Sequence, residues 1–161
     1  MDNTLLQQCA YNAWANKRLG ILLLAIDSKI LDTETPSSFN TIRKTIHHIW
    51  DAELIWMARL KNVDLAWPPS NAYTNPSIAD FAKTSQDFFE FAQTLTSEFL
   101  ESSLSYKNTK GESYTNKKSG IIMHCMNHST FHRGQVITML RALGITDLKS
   151  TDLITYLREM K

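Results

Sequence analysis

Four stretches of the chain carry apolar residues at alternating steps of three and four, the spacing that places side chains on one face of an α-helix. They run over about residues 3–27, 40–61, 76–99 and 119–143, and Gly144 follows the last as a helix-ending residue. Because each stripe must be buried against another, four such helices with modest connections predict an all-α fold. We expect an antiparallel up-and-down four-helix bundle.

Smaller elements are expected between and after these helices. A loop over residues 62–75 contains two adjacent prolines, and a short fifth helix is predicted over about residues 150–159. The stretch 105–114 alternates around Lys110-Gly111, which predicts a small two-stranded hairpin between the third and fourth long helices. With no repeat, low-complexity tract or linker, residues 1–161 are interpreted as one domain.

Composition narrows the function classes. The formal net charge is +1 and the densest basic spot is Lys117-Lys118, so nucleic acid is not an expected partner. The longest apolar run, Ile21–Ile26, is far shorter than the roughly 20 residues of a membrane span. Two separated cysteines do not make a secreted disulfide scaffold, and the first residues do not resemble a signal peptide. A cytoplasmic location is therefore expected.

Histidines interrupt the apolar stripes in a pattern that suits a metal ion. His128 and His132 lie four residues apart on the fourth helix, so their rings project from one face one turn apart. That spacing lets two imidazoles share an ion. His48, beside the stripe of the second helix, would add a third nitrogen and leave positions open for a guest. The alternative is that these histidines only make hydrogen bonds in the core.

Other polar residues on the stripes are candidates for a pocket or for a layer of contacts behind the ligands. Glu53 could orient a ligand, bind the ion or pair with Arg133, and pairing within the bundle is the favoured interpretation. Asn12 and Asn16 either line a wet pocket or bond to each other, because buried amides need partners. His124 is placed at the edge of the stripe, in the second shell or on the surface.

Three further features have simpler interpretations. His47 points away from His48 and is expected to be exposed. Cys9 and Cys125 are expected to be small buried core residues. Trp67, in the proline loop, is expected either to pack or to cover a pocket.

Three segments resemble the DinB/YfiT superfamily of metal-binding helical bundles: YNAWANKRL at 11–19, TIHHIWDAELIWMARL at 45–60 and NHSTFHRGQVITMLRALG at 127–144. They occur in the family's order, and the predicted helices cover essentially the whole chain. The resemblance implies an up-down-down-up bundle, often a homodimer. It also implies a divalent ion, zinc or nickel, held by His48, His128 and His132. Many relatives have a further histidine where this chain has Phe131.

The resemblance leaves several functions open. One is a metal-dependent enzyme acting on a small molecule, either a transferase that uses a low-molecular-weight thiol or a hydrolase. Another is a non-catalytic metal-binding protein of stress response or small-molecule binding. The third is a structural bundle without metal. Catalytic residues other than the ligands are not assigned.

Overall fold

The structure, a computed structural model, describes residues 3–73 and 77–160. The predicted helix start at Pro76 lies outside these residues. Four long helices form the body of the fold: α1 (Asn3–Ala25), α3 (Ile42–Leu60), α4 (Ile78–Gln93) and α6 (Lys118–Ala142). The shorter elements are α2 (Ser28–Leu31), a 3-10 turn (Pro69–Ala72), α5 (Ser97–Glu101), β1 (Ser103–Lys107), β2 (Ser113–Lys117) and α7 (Leu153–Glu159).

The four-helix bundle predicted from the apolar stripes is confirmed. Two core clusters, called upper and lower after the two ends of the bundle, show in which direction each helix runs. The upper cluster joins the end of α1 (Leu19, Leu23), the start of α3 (Ile42, Ile46), the start of α4 (Ile78, Phe81) and the end of α6 (Met139, Leu140). The lower cluster joins the start of α1 (Leu5, Cys9), the end of α3 (Leu60), the end of α4 (Phe88, Ala92) and the start of α6 (Ile121, Ile122). The helices therefore run up, down, down and up, the order implied by the family resemblance.

This order gives the linker between α3 and α4 a long path. Because α3 ends at the lower cluster and α4 begins at the upper one, the linker between them must return along the bundle. It does so against α3: the Val63 amide donates to the Ala58 carbonyl at 2.8 Å, and the Ser70 amide donates to the Asp51 carboxylate at 2.7 Å. The linker from α1 to α3 is tied to α3 by the exposed pair of Arg43 with Asp32 at 2.8 Å.

Local sequence explains where most elements begin and end. Ser77 and Asp80 form a capping box that starts α4, and Gly144 has a φ of +84° just after α6. The hairpin is present but longer than expected, with Ser103 opposite Lys117. The third helix was predicted to continue to Phe99, and this was wrong. α4 ends at Gln93, and the Thr96 side chain accepts the Phe99 amide to start α5.

In the described part of the chain, none of the helices is long and apolar enough to cross a membrane.

Candidate metal centre

The structure brings His48 of α3 together with His128 and His132 of α6, two helices that pack antiparallel. One candidate ligand atom from each ring lies within 4.8 Å of the others. The Nε2 atoms of His48 and His128 are 2.9 Å apart. Two nitrogens that share one ion at about 2.1 Å in tetrahedral geometry are roughly 3.4 Å apart, so the His48 and His128 nitrogens would have to move apart by about 0.5 Å to hold an ion between them. We call these three side chains the histidine cluster.

The electrostatics of the cluster keep its lone pairs available. Burial lowers the pKa of His128 to about 3, and the neighbouring His132 and His48 add to this effect. Burial and His132 also lower the pKa of His48, while the nearby Asp51 carboxylate opposes the shift. Since only a neutral imidazole can bind a metal ion, these two rings are in the required state at neutral pH. The buried Nδ1 of His128 has no hydrogen-bond partner among the described residues.

Gln135 orients the third ring, a residue that the sequence interpretation missed. Its Oε1 atom lies 2.7 Å from Nδ1 of His132, and its Nε2 atom donates to the Ser38 hydroxyl at 2.8 Å. Because the amide oxygen can only accept, Nδ1 of His132 carries the proton and Nε2 keeps its lone pair for an ion. The available signal was the spacing in H-R-G-Q, which places Gln135 one turn after the ligand.

A buried polar layer lies between the two core clusters, and Glu53 is at its centre. Its Oε1 atom accepts from Asn12 Nδ2 at 2.7 Å, Asn16 Nδ2 at 3.0 Å and Ser129 Oγ at 2.9 Å. Its Oε2 atom accepts from Ser85 Oγ at 2.6 Å. Burial raises the pKa of Glu53, and these hydrogen bonds oppose that rise by favouring the carboxylate. The layer joins all four long helices.

Arg133 completes the polar layer from the side of α6. Its Nη1 atom donates to the side-chain oxygens of Asn12 and Asn16, and its Nη2 atom donates to Thr130 Oγ1 at 2.8 Å. Glu53 and Arg133 are therefore joined through the two asparagine amides, and the direct pair favoured from the sequence is replaced by a bridged one. Each asparagine bonds to Glu53 and Arg133. The alternative that they line a wet pocket stays a prediction.

The polar layer supports the helices that carry the histidine cluster. Ser129 lies between His128 and His132 in the sequence, and Glu53 follows His48 by five residues. The hydrogen bonds of Glu53 and Arg133 described above go to side chains other than the three imidazoles. Their assignment to a second shell stays a prediction.

The remaining candidates lie outside the histidine cluster. His124 is exposed, with its ring 5.8 Å from that of His128 and edge-on to Trp56. His47 was expected to be exposed, but it is half-buried and packs against the edge of Trp50. The two cysteines, Cys9 and Cys125, are buried free thiols in the lower cluster, as expected.

Both long linkers bring an aromatic ring to the cluster. Phe39, from the first linker, has its ring centre 4.3 Å from His48 and 5.8 Å from His132. Trp67, from the second linker, lies 6.4 Å from His48 in an edge-on arrangement. The sequence did not predict the contact of Phe39 with the histidine cluster, because the position of Phe39 in the chain does not indicate that its ring reaches His48.

Comparison with known proteins identifies the family of the chain. The family model described as DinB family matches residues 1–159. The chain belongs to the DinB family. Among curated proteins of this family, Protein DinB of Bacillus subtilis (strain 168) is 26% identical over 144 residues, which cover 83% of each chain.

Solved DinB-like structures share the fold. A DinB-like protein from Bacillus subtilis has a TM-score of 0.69 at 16% identity, covering 91% of this chain and 98% of that one. One from Bacillus cereus has a TM-score of 0.63 at 18% identity, covering 91% and 95%. YfiT from Bacillus subtilis, described as a probable metal-dependent hydrolase with an unusual four-helix bundle topology, has a TM-score of 0.64 at 13% identity and covers 91% of each chain. At these identities the likeness establishes the fold.

Proposed function

We propose that this DinB-family protein is a metal-dependent hydrolase of a small molecule, with His48, His128 and His132 as the ligands of a divalent ion. The observation that carries the proposal is the convergence of three imidazoles from two antiparallel helices, with ligand atoms within 4.8 Å of one another. The description of YfiT as a probable metal-dependent hydrolase supports the choice of reaction. Zinc and nickel are the proposed ions, because imidazole nitrogen suits both.

The three side chains suit a catalytic site rather than a closed structural one. Three neutral nitrogens leave coordination positions free, whereas structural zinc sites fill all four with protein ligands. An ion bound there would supply Lewis acidity and lower the pKa of a bound water or thiol toward neutrality. Gln135 holds His132 in the tautomer that the site needs, and the polar layer fixes the spacing of α3 and α6.

The thiol-dependent transferase is the second candidate. A thiol would have to come from a small molecule, because both cysteines are buried. Burial raises the pKa of Cys9 to about 12 and raises that of Cys125 as well. The same three histidines would serve both reactions, so a thiol arm belongs in the assay. The homodimer also stays a prediction.

Metal analysis of protein purified without a histidine tag is the direct test. We expect about one divalent ion per chain, a large loss of bound ion in His48→Ala, His128→Ala and His132→Ala, and retention in the matched control His47→Ala. The ion should also raise the melting temperature of the wild-type protein, since it binds the folded state.

Activity is then measured with esters and amides, with and without a millimolar small-molecule thiol, before and after chelation. Hydrolysis that chelation abolishes and thiol does not affect supports the proposal. Turnover that needs the thiol favours the transferase. Full metal binding by all three alanine variants would refute the ligand assignment.

A further inference from the structure

The histidine cluster is surrounded by aromatic side chains from separate parts of the chain. Phe39 lies in the first linker, Trp67 in the second, and Phe131 on α6 beside His132. The Phe131 ring centre is 4.9 Å from that of His132, and the two rings are nearly perpendicular. We call these three residues the aromatic rim.

Exposure sets the rim apart from the core. Trp67 is 48% exposed and Phe131 is 62% exposed, while Phe39 is half-buried against His48. An apolar ring left in water forgoes the free energy that burial would give it, so exposed rings close to a candidate metal centre favour contact with a guest. Aromatic faces and edges bind flat apolar groups by stacking and edge contacts.

The linkers hold two members of the rim in place. The Ser38 hydroxyl accepts from Gln135, so the segment that carries Phe39 is tied to the residue that orients His132. The Ser70 amide donates to the buried Asp51 carboxylate, which anchors the segment after Trp67 to α3. A ring on an anchored segment loses little conformational freedom when it binds a guest.

The charges near the aromatic rim indicate which class of substrate it can bind. The Asp51 carboxylate on α3 is buried, and its oxygen is already engaged by the Ser70 amide. The ring contacts of Phe39, Trp67 and Phe131 around the cluster are all with imidazoles. A rim of neutral rings offers no ion pair to a charged substrate body.

We propose that the aromatic rim binds the substrate body, and that the substrate carries an uncharged aromatic or similarly flat apolar group next to its reacting bond. This inference rests on the proposed metal-dependent function. The aromatic rim selects the substrate, and the metal centre carries out the reaction.

Two hydroxamates that share one metal-binding group provide the test, because acetohydroxamate lacks the ring that benzohydroxamate has. Zinc-loaded protein is titrated with each, and binding is followed by calorimetry. We expect benzohydroxamate to bind about tenfold more tightly than acetohydroxamate, the effect of a ring contact plus burial of the ring.

Variants separate the rim from the metal centre. Trp67→Ala and Phe39→Ala should reduce the preference for benzohydroxamate to about twofold. The preference is the ratio of two affinities measured in the same variant, so a change at the ion itself affects both ligands and cancels. Trp67→Phe should keep most of the preference. The control Trp14→Ala, in the aromatic cluster with Tyr11 and Tyr156, should keep all of it.

Different results would overturn the aromatic rim and the metal site. Zinc-loaded protein that binds both hydroxamates equally, or keeps its preference in Trp67→Ala and Phe39→Ala, overturns the aromatic rim and leaves the metal site standing. Protein that binds no divalent ion overturns the proposed function, and the inference with it.

Discussion

Removal of the Glu53 carboxylate should destabilise the bundle more than an ordinary core substitution. Glu53→Ala takes away the acceptor of four buried hydrogen bonds and leaves the Arg133 guanidinium, 2% exposed, without a counter-charge. Removing one partner of a direct buried charge pair costs about 3–5 kcal/mol, and the asparagine bridge between Glu53 and Arg133 places this term at the low end of that range. Each buried donor left without an acceptor adds up to about 1–3 kcal/mol, although these terms do not simply add.

The Ser85 hydroxyl contributes less to this destabilisation than the other donors, because it also lies 3.3 Å from the Phe81 carbonyl and keeps an acceptor there. We therefore expect Glu53→Ala to lower the free energy of unfolding by at least about 4 kcal/mol, out of a total of about 5–15 kcal/mol for a domain. For a chain of this size, that corresponds to a fall in melting temperature of roughly 8–16 °C.

Glu53→Gln separates shape from charge. The glutamine oxygen can still accept from Asn12, Asn16 and Ser129, and its amide can donate to the Ser85 hydroxyl once that hydroxyl rotates. Only the charge is lost, so we expect about 1.5–3 kcal/mol of destabilisation, the range for a hydrogen bond to a charged group.

The assay is urea unfolding of metal-free protein in the presence of a chelator, with linear extrapolation to water. A double-mutant cycle of Glu53→Gln with Arg133→Met should give a coupling energy of about 1 kcal/mol or more, because the two charges communicate through the asparagine bridge. Additive effects in the cycle, or a Glu53→Ala protein within about 1 kcal/mol of wild type, would refute the role given to the polar layer.

Two further predictions concern the histidine cluster. Gln135→Leu removes the acceptor of His132 Nδ1 and should weaken zinc binding about 10–100-fold in chelator competition, while Gln135→Glu should keep it; equal affinity in Gln135→Leu would contradict the orienting role. Because the pKa of His128 falls from 6.5 to about 3 on folding, the unfolded chain binds a proton that the folded chain does not. The unfolding free energy of metal-free protein should therefore decrease from pH 6.5 toward pH 3, and His128→Gln should flatten that dependence.

The sequence predicted the features that depend on helical periodicity, namely which side chains share one face of a helix. Most stripe residues of α1 and α3 are buried, including the polar Asn12, Asn16 and Glu53, while Trp56 is half-buried. Position along a helix determines which face a side chain occupies. The same rule placed His128 and His132 together. His48 was placed opposite them because a second apolar stripe required a facing helix.

Periodicity could not predict contacts that depend on linkers or on partners across the bundle. Phe39 and Ser38 lie in an irregular segment between α2 and α3, where no helical periodicity indicates which way a side chain points. The bond of Ser85 to Glu53 depends on which helices are neighbours in the bundle. The break after Gln93 was missed because the apolar pattern continues through Leu95 and Phe99, while the Thr96 cap acts only locally.

The return of the second linker along α3 has a consequence for how this architecture diversifies. The segments that bring Phe39 and Trp67 to the cluster lie outside the four long helices, and neither aromatic residue belongs to the core clusters or to the polar layer. Selection for a new guest can thus act on the connecting loops at little thermodynamic cost, while the scaffold that positions the imidazoles is inherited unchanged.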